Sequence, residues 1–227
     1  MANTLFLVLQ GPLQSWGERA QWDVRDTAPE PTKSGVIGLL GCALGLSDDE
    51  PLRELSRALR MGTRCDRPGT LLRDYHTVLG AVTAKGKVLT ERERTILTDR
   101  HYLADAAFLV CLQGPDALIA ECADAVQRPH WPIYLGRKCC VPNRPVYEGT
   151  GDYGTLREAL ASWPRIAPRA GGRRDLLAVI ESPQGHGARR HDELISRSYR
   201  VFRPRTVEQL SVDPPEMREE TQCIWQN

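Results

Sequence analysis

The segment between Leu5 and Gly45 constrains the fold of this 227-residue chain more than any other part. It opens with the unbroken apolar run LFLVL, which ends at a Gly-Pro pair and predicts a buried strand. After a polar link, the sequence PTKSGVIGLLGCALG predicts a helix with Thr32 as its N-cap and Gly45 as its stop. The chain therefore begins with a strand, a loop and a helix.

The start of this helix has two interpretations. An N-cap at Thr32 leaves the amides of Lys33, Ser34 and Gly35 without intrahelical partners, at the positive end of the helix dipole and beside the Lys33 ammonium. This arrangement predicts an anion site that holds a phosphate. The alternative is an ordinary capped core helix with Lys33 in solvent, because every helix start has free amides.

Glycines recur at every third position of the predicted helix, at residues 35, 38 and 41. Each costs about 1 kcal/mol relative to alanine in a helix interior, so we expect this face to serve a close contact. The contact is either the sheet or the backbone of an RNA. Close packing of the helix on the sheet is the simpler interpretation.

Composition excludes several classes of protein. Hydrophobic residues make up 41% of the chain and charged residues 26%, as in ordinary globular proteins. No stretch approaches the ~20 apolar residues of a membrane span, so we expect a cytoplasmic protein without a membrane partner. Seven cysteines without any Cys-x-x-Cys pair predict reduced thiols. We therefore expect no metal and no cofactor.

Charge is unevenly distributed along the chain. The formal net charge is only +1, yet residues 157–205 hold eleven arginines against five acidic residues, a local charge of +6. Residues 206–227 hold five acidic residues against one arginine, a local charge of −4. A basic surface is therefore compatible with a nearly neutral chain.

The middle of the chain predicts strands and a projecting arm. Residues 58–66 and 70–78 have the pattern of two strands, and the turn-forming triplet Arg67-Pro68-Gly69 predicts that they pair as a hairpin. A polar, charged stretch follows. We expect it to project as a hairpin arm at about residues 78–98.

The remaining elements predict an α+β fold. Residues 104–113 indicate a strand, Pro115 begins a helix, and residues 131–135 indicate a further strand. The order of elements is close to a ferredoxin-like unit, a modified RNA-recognition motif, in which an antiparallel sheet carries both helices on one face. The other face is expected to be open, and RNA-recognition modules stack unpaired bases there or on the surrounding loops.

The composition of the sequence changes after Arg144. Short apolar segments are separated by links rich in glycine, proline and arginine. We therefore predict two domains, a ferredoxin-like domain at residues 1–150 and a small β-rich C-terminal lobe at residues 151–227. Within the lobe, the link SPQGHGARRHD at residues 182–192 predicts a flexible basic loop.

Two enzymatic alternatives rest on short motifs. Metal-free RNA cleavage needs a base, an acid and a cation, which makes Tyr75, His76 and His101 catalytic candidates. The string GTGDYG at residues 149–154 matches the dinucleotide fingerprint, but the strand that should precede it is missing. There is no Gly-x-x-x-x-Gly-Lys-Ser/Thr loop and no His-Glu-x-x-His pair.

Four motifs together resemble a known family. They are LVLQGPLQSWG, PTKSGVIGLLGCALG, RDYHTV…TDRHYLADAAFLVCLQG and PIYLGRKCCVPNRPV, in this order over about residues 4–150. The chain resembles Cas family five of the RAMP superfamily, the family of the CasD subunit of the type I-E CRISPR Cascade complex. Each motif alone is unspecific, whereas their joint order is highly specific.

The resemblance implies a non-catalytic RNA-binding subunit of a CRISPR surveillance complex in antiviral defence. Residues 1–150 would be its RNA-binding domain, with a modified RNA-recognition-motif fold, and the arm at about residues 78–98 would be a protruding β-hairpin thumb. Such a subunit binds the 5′ handle of the CRISPR RNA and caps a backbone of related subunits. The implied partners are a neighbouring CasC-like backbone subunit, the large CasA-like subunit and, indirectly, target DNA. Some relatives are metal-independent endoribonucleases that process repeat RNA with Tyr, Lys and His, and this activity is the alternative here.

The resemblance and the charge pattern together predict the RNA contacts. They lie in the LQSWG loop, the helix entry, the arm with its flanking segments, and the GRK turn, with Trp16 or Tyr75 stacking an unpaired base. The predicted residues are Gln14, Ser15, Trp16, Arg25, Lys33, Ser34, Gly35, Tyr75, His76, Arg92, Arg94, Arg100, Tyr102, Gly136, Arg137, Lys138 and Arg144.

Overall fold

The apolar run near the N-terminus forms a central strand of the main sheet. A computed structural model describes residues 2–18, 23–78, 86, 95–168, 175–182, 185–197 and 199–217. In it, the first strand covers Thr4–Gln10, and its first six residues are buried. An unbroken apolar run fits this place because both faces of the strand are covered by other elements.

The described part of the chain contains eleven strands and four helices. The strands are β1 (Thr4–Gln10), β2 (Leu13–Gln14), β3 (Val24–Arg25), β4 (Arg60–Arg67), β5 (Thr70–Val78), β6 (Ile96–Ala104), β7 (Ala107–Gln113), β8 (Tyr147–Gly151), β9 (Leu176–Glu181), β10 (Ala188–Ser196) and β11 (Val201–Val212). The helices are α1 (Lys33–Leu44), α2 (Asp49–Ala58), α3 (Asp116–Gln127) and α4 (Leu156–Ser162).

The main sheet has seven strands in the order β10-β11-β9-β4-β7-β1-β8, and its neighbouring strands pair antiparallel. The fold is therefore α+β with a large antiparallel sheet. Strand β9 pairs with β4, so strands from before and after residue 150 share this sheet. The predicted domain boundary does not coincide with a break in it.

Both faces of the main sheet carry helices. Leu5, Leu7 and Leu9 of β1 belong to a core that includes residues of α1, α2 and α3. On the opposite face, Phe6 packs with residues of α4 and stacks on Trp163, with ring centroids 4.1 Å apart. The prediction of an open face is therefore wrong along β1, because α4 and the residues after it cover that side.

Helix α1 has the caps that its sequence predicts. The Thr32 hydroxyl accepts a hydrogen bond from the Gly35 amide, and Gly45 ends the helix with a φ of 74°. A side chain rarely adopts this left-handed conformation, which explains glycine at the helix end. The predicted start and stop of α1 are confirmed.

The second sheet contains the two limbs of the predicted arm. Strands β5 and β6 pair continuously from Thr70–Ala104 to Val78–Ile96, and β2 and β3 pair with β6. Residues 79–85 and 87–94, which include most of the predicted thumb, lie outside the described residues. The structure therefore describes the base of the arm.

The predicted hairpin between β4 and β5 is wrong. Strand β4 pairs with β7 and β9 in the main sheet, whereas β5 pairs with β6 in the second sheet. At the turn between them, Gly69 has a φ of 72°, and a Cβ there would lie 2.4 Å from the Ala104 carbonyl oxygen. The turn therefore directs the chain from one sheet to the other.

Two segments have a different structure from the predicted one. Residues 131–135 are not a strand; the amides of His130 and Trp131 instead donate to the Ala43 and Cys42 carbonyls at the end of α1. The predicted flexible loop at residues 182–192 contains the start of β10, which pairs with β11 from Ala188 onward. Both differences arise from backbone contacts between distant parts of the chain.

Helix α2 was not predicted from the sequence, although Leu52 and Leu55 form its buried side. Gly149 and Gly151 of the GTGDYG string lie within β8, so the string is not a strand-to-helix turn. No helix in the described residues has both the length and the apolar character needed to cross a membrane.

Buried charges connect α1 to the C-terminal strands. The Lys33 ammonium contacts Glu181 of β9 at 2.8 Å, and the Lys33 amide donates to Asp192 of β10 at 2.8 Å. Both oxygens of Asp192 also accept hydrogen bonds from the Arg205 guanidinium of β11. Burial lowers the pKa of Arg205, and the hydrogen bond and charge of Asp192 outweigh that effect and raise it. One carboxylate thus joins a helix start to two strands.

We predict that Asp192→Ala destabilises the protein by about 3–5 kcal/mol, because it leaves the buried Arg205 charge without its partner. Chemical denaturation measures this loss. The control is Glu193→Ala on the same strand, whose partner Arg203 is half exposed and whose loss costs about 0–1 kcal/mol. Equal losses in the two variants would contradict the role of Asp192.

Candidate functional site

A groove runs beside the first half of α1. Two adjoining cavities of about 450 Å³ and 720 Å³ form it, and Ser34, Gly35 and Gly38 of α1 line both. We call it the α1 groove. Its other lining residues are Ser15, Trp16, Gly17, Arg25, Asp26, Thr32, Leu39, Cys42, Leu46, Leu52, Trp131, Pro132, Tyr134, Gly136, Arg137, Lys138, Leu194, Arg197, Arg200 and Phe202.

The α1 groove is rich in cations that lack carboxylate partners. Within the described residues, no side-chain salt bridge engages any of the five cations that line the groove, and Asp26 is the one carboxylate in the lining. Uncompensated cations in a concave surface concentrate positive potential there. These cations are Arg25, Arg137, Lys138, Arg197 and Arg200.

Arg137 is held in a fixed position beside the groove. Its guanidinium lies 4.6 Å from the centre of the Tyr102 ring, and its Nη2 donates to the backbone carbonyls of Arg25 and Asp26. Its Nη1 is buried and has no hydrogen-bond partner among the described residues, and the same holds for Nε of Arg25. Buried donors normally have partners, so these two nitrogens are exceptions to the usual pairing.

Gly136 brings the GRK turn against the LQSWG loop. Its φ is 92°, and a Cβ on this residue would lie 1.8 Å from the Ser15 carbonyl oxygen. The neighbouring Leu135 carbonyl accepts a hydrogen bond from the Ser15 amide at 3.1 Å. Only glycine permits this approach. The two motifs that the sequence singles out are therefore adjacent in space.

Trp16 supports the groove but is not available to stack a base. The side chain is 1% exposed, and its Nε1 donates to the side-chain oxygen of Gln14 at 3.0 Å. Gln14 is also fully buried and donates to the carbonyls of Leu9 and Ala106. The prediction that Trp16 stacks an RNA base is therefore wrong. Its ring packs against Gly35 instead.

The start of α1 is not the free anion site that its sequence predicts. The Lys33 side chain is buried, and Asp192 and Glu181 engage its amide and its ammonium. The Gly35 amide is bonded to Thr32. This prediction failed because both carboxylates are distant in sequence. Ser34 and Gly35 nevertheless face the groove.

The other predicted contacts lie outside the α1 groove. Tyr75, His76 and Arg100 lie on β5 and β6, and Tyr102 is buried beneath Arg137. Arg144 forms a 2.8 Å salt bridge with Glu148. Arg92 and Arg94 lie outside the described residues. RNA contact by this second set of residues stays a prediction.

The predicted catalytic histidines are not brought together. His76 lies opposite Thr98, and His101 lies opposite Arg73 in the same antiparallel pair. Because side chains alternate between the two faces of a strand, His76 and His101 project from opposite faces of the β5–β6 ribbon. Tyr75 shares the face of His101. A single phosphodiester cannot contact both histidines in this arrangement.

The sequence analysis missed Arg197 and Arg200, which lie between β10 and β11 and face the groove. The excess of arginine over acidic residues in residues 157–205 was the signal that could have indicated them.

No cluster of His, Cys, Asp or Glu in the described part of the chain is suited to a metal ion. The six cysteines described there are free thiols, and burial raises the pKa of Cys140 to about 12.

Comparison with known proteins gives a consistent result. A family model described as CRISPR-associated protein (Cas_Cas5) matches residues 4–213. The chain is also similar to "CRISPR system Cascade subunit CasD" of Escherichia coli (strain K12), with 39% identity over 179 residues. That match covers 73% of this chain and 79% of the relative.

Solved structures show the same similarity. A structure described as "Crystal structure of Cas protein" has a TM-score of 0.74 and 39% identity, and the match covers 94% of this chain and 98% of the other. A chain of a "CRISPR RNA-guided surveillance complex" has a TM-score of 0.81 and 30% identity, with 96% and 95% covered. The similarity therefore extends over nearly the whole length.

We predict that alanine substitutions at two glycines of α1 have opposite effects on stability. A Cβ at Gly38 meets nothing within 4 Å, so Gly38→Ala stabilises the helix by about 0.5–1 kcal/mol. A Cβ at Gly35 would lie 2.8 Å from the Trp16 ring, so Gly35→Ala destabilises by about 1–3 kcal/mol. Urea denaturation measures both changes. Destabilisation by both substitutions would show that Gly38 also serves a packing contact.

Proposed function

The chain belongs to the CRISPR-associated protein (Cas_Cas5) family, and on this basis we propose that it is an RNA-binding subunit of a CRISPR RNA-guided surveillance complex in antiviral defence. The relatives support this proposal, since one is a Cascade subunit and another is part of a CRISPR RNA-guided surveillance complex. The family membership supplies the class of function. The α1 groove supplies its physical basis.

The ligand of the α1 groove is the single-stranded 5′ handle of the CRISPR RNA. The observation that carries this assignment is the set of five groove cations without salt bridges in the described structure. RNA phosphates accept hydrogen bonds from these cations in place of the missing carboxylates. Guanidinium groups suit this task because they present planar, paired donors to phosphate oxygens.

The second cavity of the groove suits nucleobases. Leu46, Leu52 and Trp131 give it apolar walls, and Lys138 lies at the same cavity. A single-stranded RNA presents flat apolar bases next to charged phosphates, and proteins bind such strands with neighbouring apolar and cationic surfaces. The combination is therefore better matched to RNA than to a free anion.

The sheet topology supports the finer description of the fold. Strands β1, β4, β7 and β8 with helices α1 and α3 give the spatial order β4-β7-β1-β8, the arrangement of a ferredoxin-like domain. In this interpretation the β5–β6 ribbon is an insertion between β4 and β7 and forms the base of the thumb. The C-terminal strands extend the same sheet.

The β5–β6 ribbon is the surface for a neighbouring subunit. Leu71, Tyr75 and Leu97 project from one of its faces and are exposed. Exposed apolar side chains on one face indicate a protein contact. A CasC-like backbone subunit binds this ribbon and the thumb. The large CasA-like subunit is a second neighbour, target DNA is engaged indirectly through the assembly, and the site of action is the cytoplasm.

The subunit holds RNA without cutting it. The placement of His76 and His101 on opposite faces of the ribbon supports this proposal, because metal-independent cleavage needs a base and an acid at one phosphodiester. Metal-independent endoribonuclease activity is the alternative.

The proposal predicts that the full-length chain binds a handle RNA with an affinity that falls as salt rises. Lys138→Ala weakens binding about 3- to 10-fold and lowers the salt slope by about 0.7, the value for one phosphate contact with a single strand. Fluorescence anisotropy across a salt titration measures both quantities. Arg203→Ala is the control, because this arginine is paired with Glu193 outside the groove and its loss leaves binding unchanged.

Incubation of the wild-type chain with the handle RNA in EDTA tests the alternative, metal-independent endoribonuclease activity. If the subunit does not cleave RNA, the RNA keeps its full length. Cleavage at one position that disappears in His76→Ala or His101→Ala would contradict the proposal and assign ribonuclease activity. Absence of any salt-dependent binding by the wild-type chain would contradict RNA binding itself.

A further inference from the structure

We propose that the connection between β10 and β11 forms a second wall of the α1 groove and that Tyr199 stacks there on an unpaired base of the bound RNA. The connection comprises residues 197–200, of which residue 198 lies outside the described part; we call it the β10–β11 tip. This inference rests on the proposed function and specifies how the groove holds its ligand.

Tyr199 is the exposed aromatic side chain at this place. It is 84% exposed, and Arg197 and Arg200, two positions before it and one position after it, both line the groove. A ring that projects from a loop beside two cations is the pattern of single-stranded nucleic-acid binding, in which bases stack on aromatics and cations meet the phosphates. Trp16, on the opposite side, is buried and cannot supply this ring.

The β10–β11 tip is fixed by the start of α2. One oxygen of Asp49 accepts a hydrogen bond from the Ser196 hydroxyl at 2.5 Å, and the other accepts from the Arg197 amide at 2.9 Å. The Arg197 guanidinium donates to the Ser47 carbonyl, and the Tyr199 amide donates to the Ser196 hydroxyl. These contacts hold the tip in place before a ligand binds, which reduces the entropy lost on binding.

The backbone at Arg200 adds a further sign of function. Its φ of 54° lies in the left-handed region, where side chains other than glycine are uncommon. Its amide donates to the Arg197 carbonyl, and within the described structure its side chain has no salt bridge. Unfavourable backbone conformations concentrate at binding sites. Here the conformation accompanies a guanidinium that lines the groove.

The side chains of Arg197, Tyr199 and Arg200 have different roles in the bound state. Arg197 and Arg200 contact consecutive phosphates, and the Tyr199 ring covers the base between them. Stacking uses the face of a base, which all four bases have, so this contact tolerates any base at that position. The tip therefore contributes affinity rather than sequence readout.

The test compares variants of the full-length chain by fluorescence anisotropy with a handle RNA. Tyr199→Ala weakens binding about 5- to 20-fold without changing the salt slope, because stacking releases no counterions. Tyr199→Phe keeps the wild-type affinity within about twofold, since the ring remains. Arg200→Ala lowers the affinity and also the salt slope. Thermal melting confirms that each variant is folded.

Leu177→Ala is the control, because Leu177 is also an exposed apolar side chain (51%) but lies on β9, outside the lining of the groove. It leaves the affinity for the isolated handle RNA unchanged. A scan of abasic substitutions in the RNA identifies the stacked base. The abasic site at that base weakens binding to the wild type and has no further effect with Tyr199→Ala.

The outcomes separate this inference from the function on which it rests. If the wild-type chain does not bind the handle RNA, the proposed function fails. If the wild type binds and Tyr199→Ala binds equally well, or if Leu177→Ala has the larger effect, RNA binding stands and the tip is not the stacking wall.

Discussion

The carboxylate of Asp192 is the contact on which the shape of the α1 groove depends. It accepts hydrogen bonds from the first amide of α1 and from Arg205 of β11, and it belongs itself to β10. Helix α1 lines the floor of the groove, and the connection between β10 and β11 lies at its edge. One buried ionic contact therefore sets the distance between the two sides. Such contacts are costly to break because the remaining charge has no solvent around it.

Two sets of the described cations have different physical roles. Arg64, Arg190 and Arg205 are paired with carboxylates and hold structural elements together. The cations of the groove have no salt bridge in the described structure. The 30 basic and 29 acidic residues nearly balance, so the net charge of +1 does not reveal the local excess of cations in the groove. The position of each charge in the fold, rather than the sum, indicates an RNA partner.

Local patterns in the sequence predicted β1, α1 and the caps of α1, because a buried strand and a capped helix depend mainly on neighbouring residues. Predictions from local patterns were wrong where strand pairing between distant parts of the chain determines the structure. The predicted β4–β5 hairpin is one example, and the predicted loop at residues 182–192, which contains the start of β10, is another. The site follows the same division. The LQSWG and GRK motifs do meet, through Gly136, whereas Lys33 is engaged by carboxylates 148 and 159 positions away and Trp16 is buried. Arg197 and Arg200 lie in the site because the pairing of β10 with β11 places the connection between these strands beside the groove.

Photo-crosslinking tests the central claim most directly. A CRISPR RNA with a photoreactive uridine at each handle position in turn is bound to the assembled complex, irradiated and analysed by mass spectrometry of the crosslinked peptides. The account predicts crosslinks to peptides that contain Ser34, Lys138 or Arg200, because these residues line the two cavities of one groove. Handle crosslinks confined to the β5–β6 ribbon or to α4, with none at the groove, would contradict it.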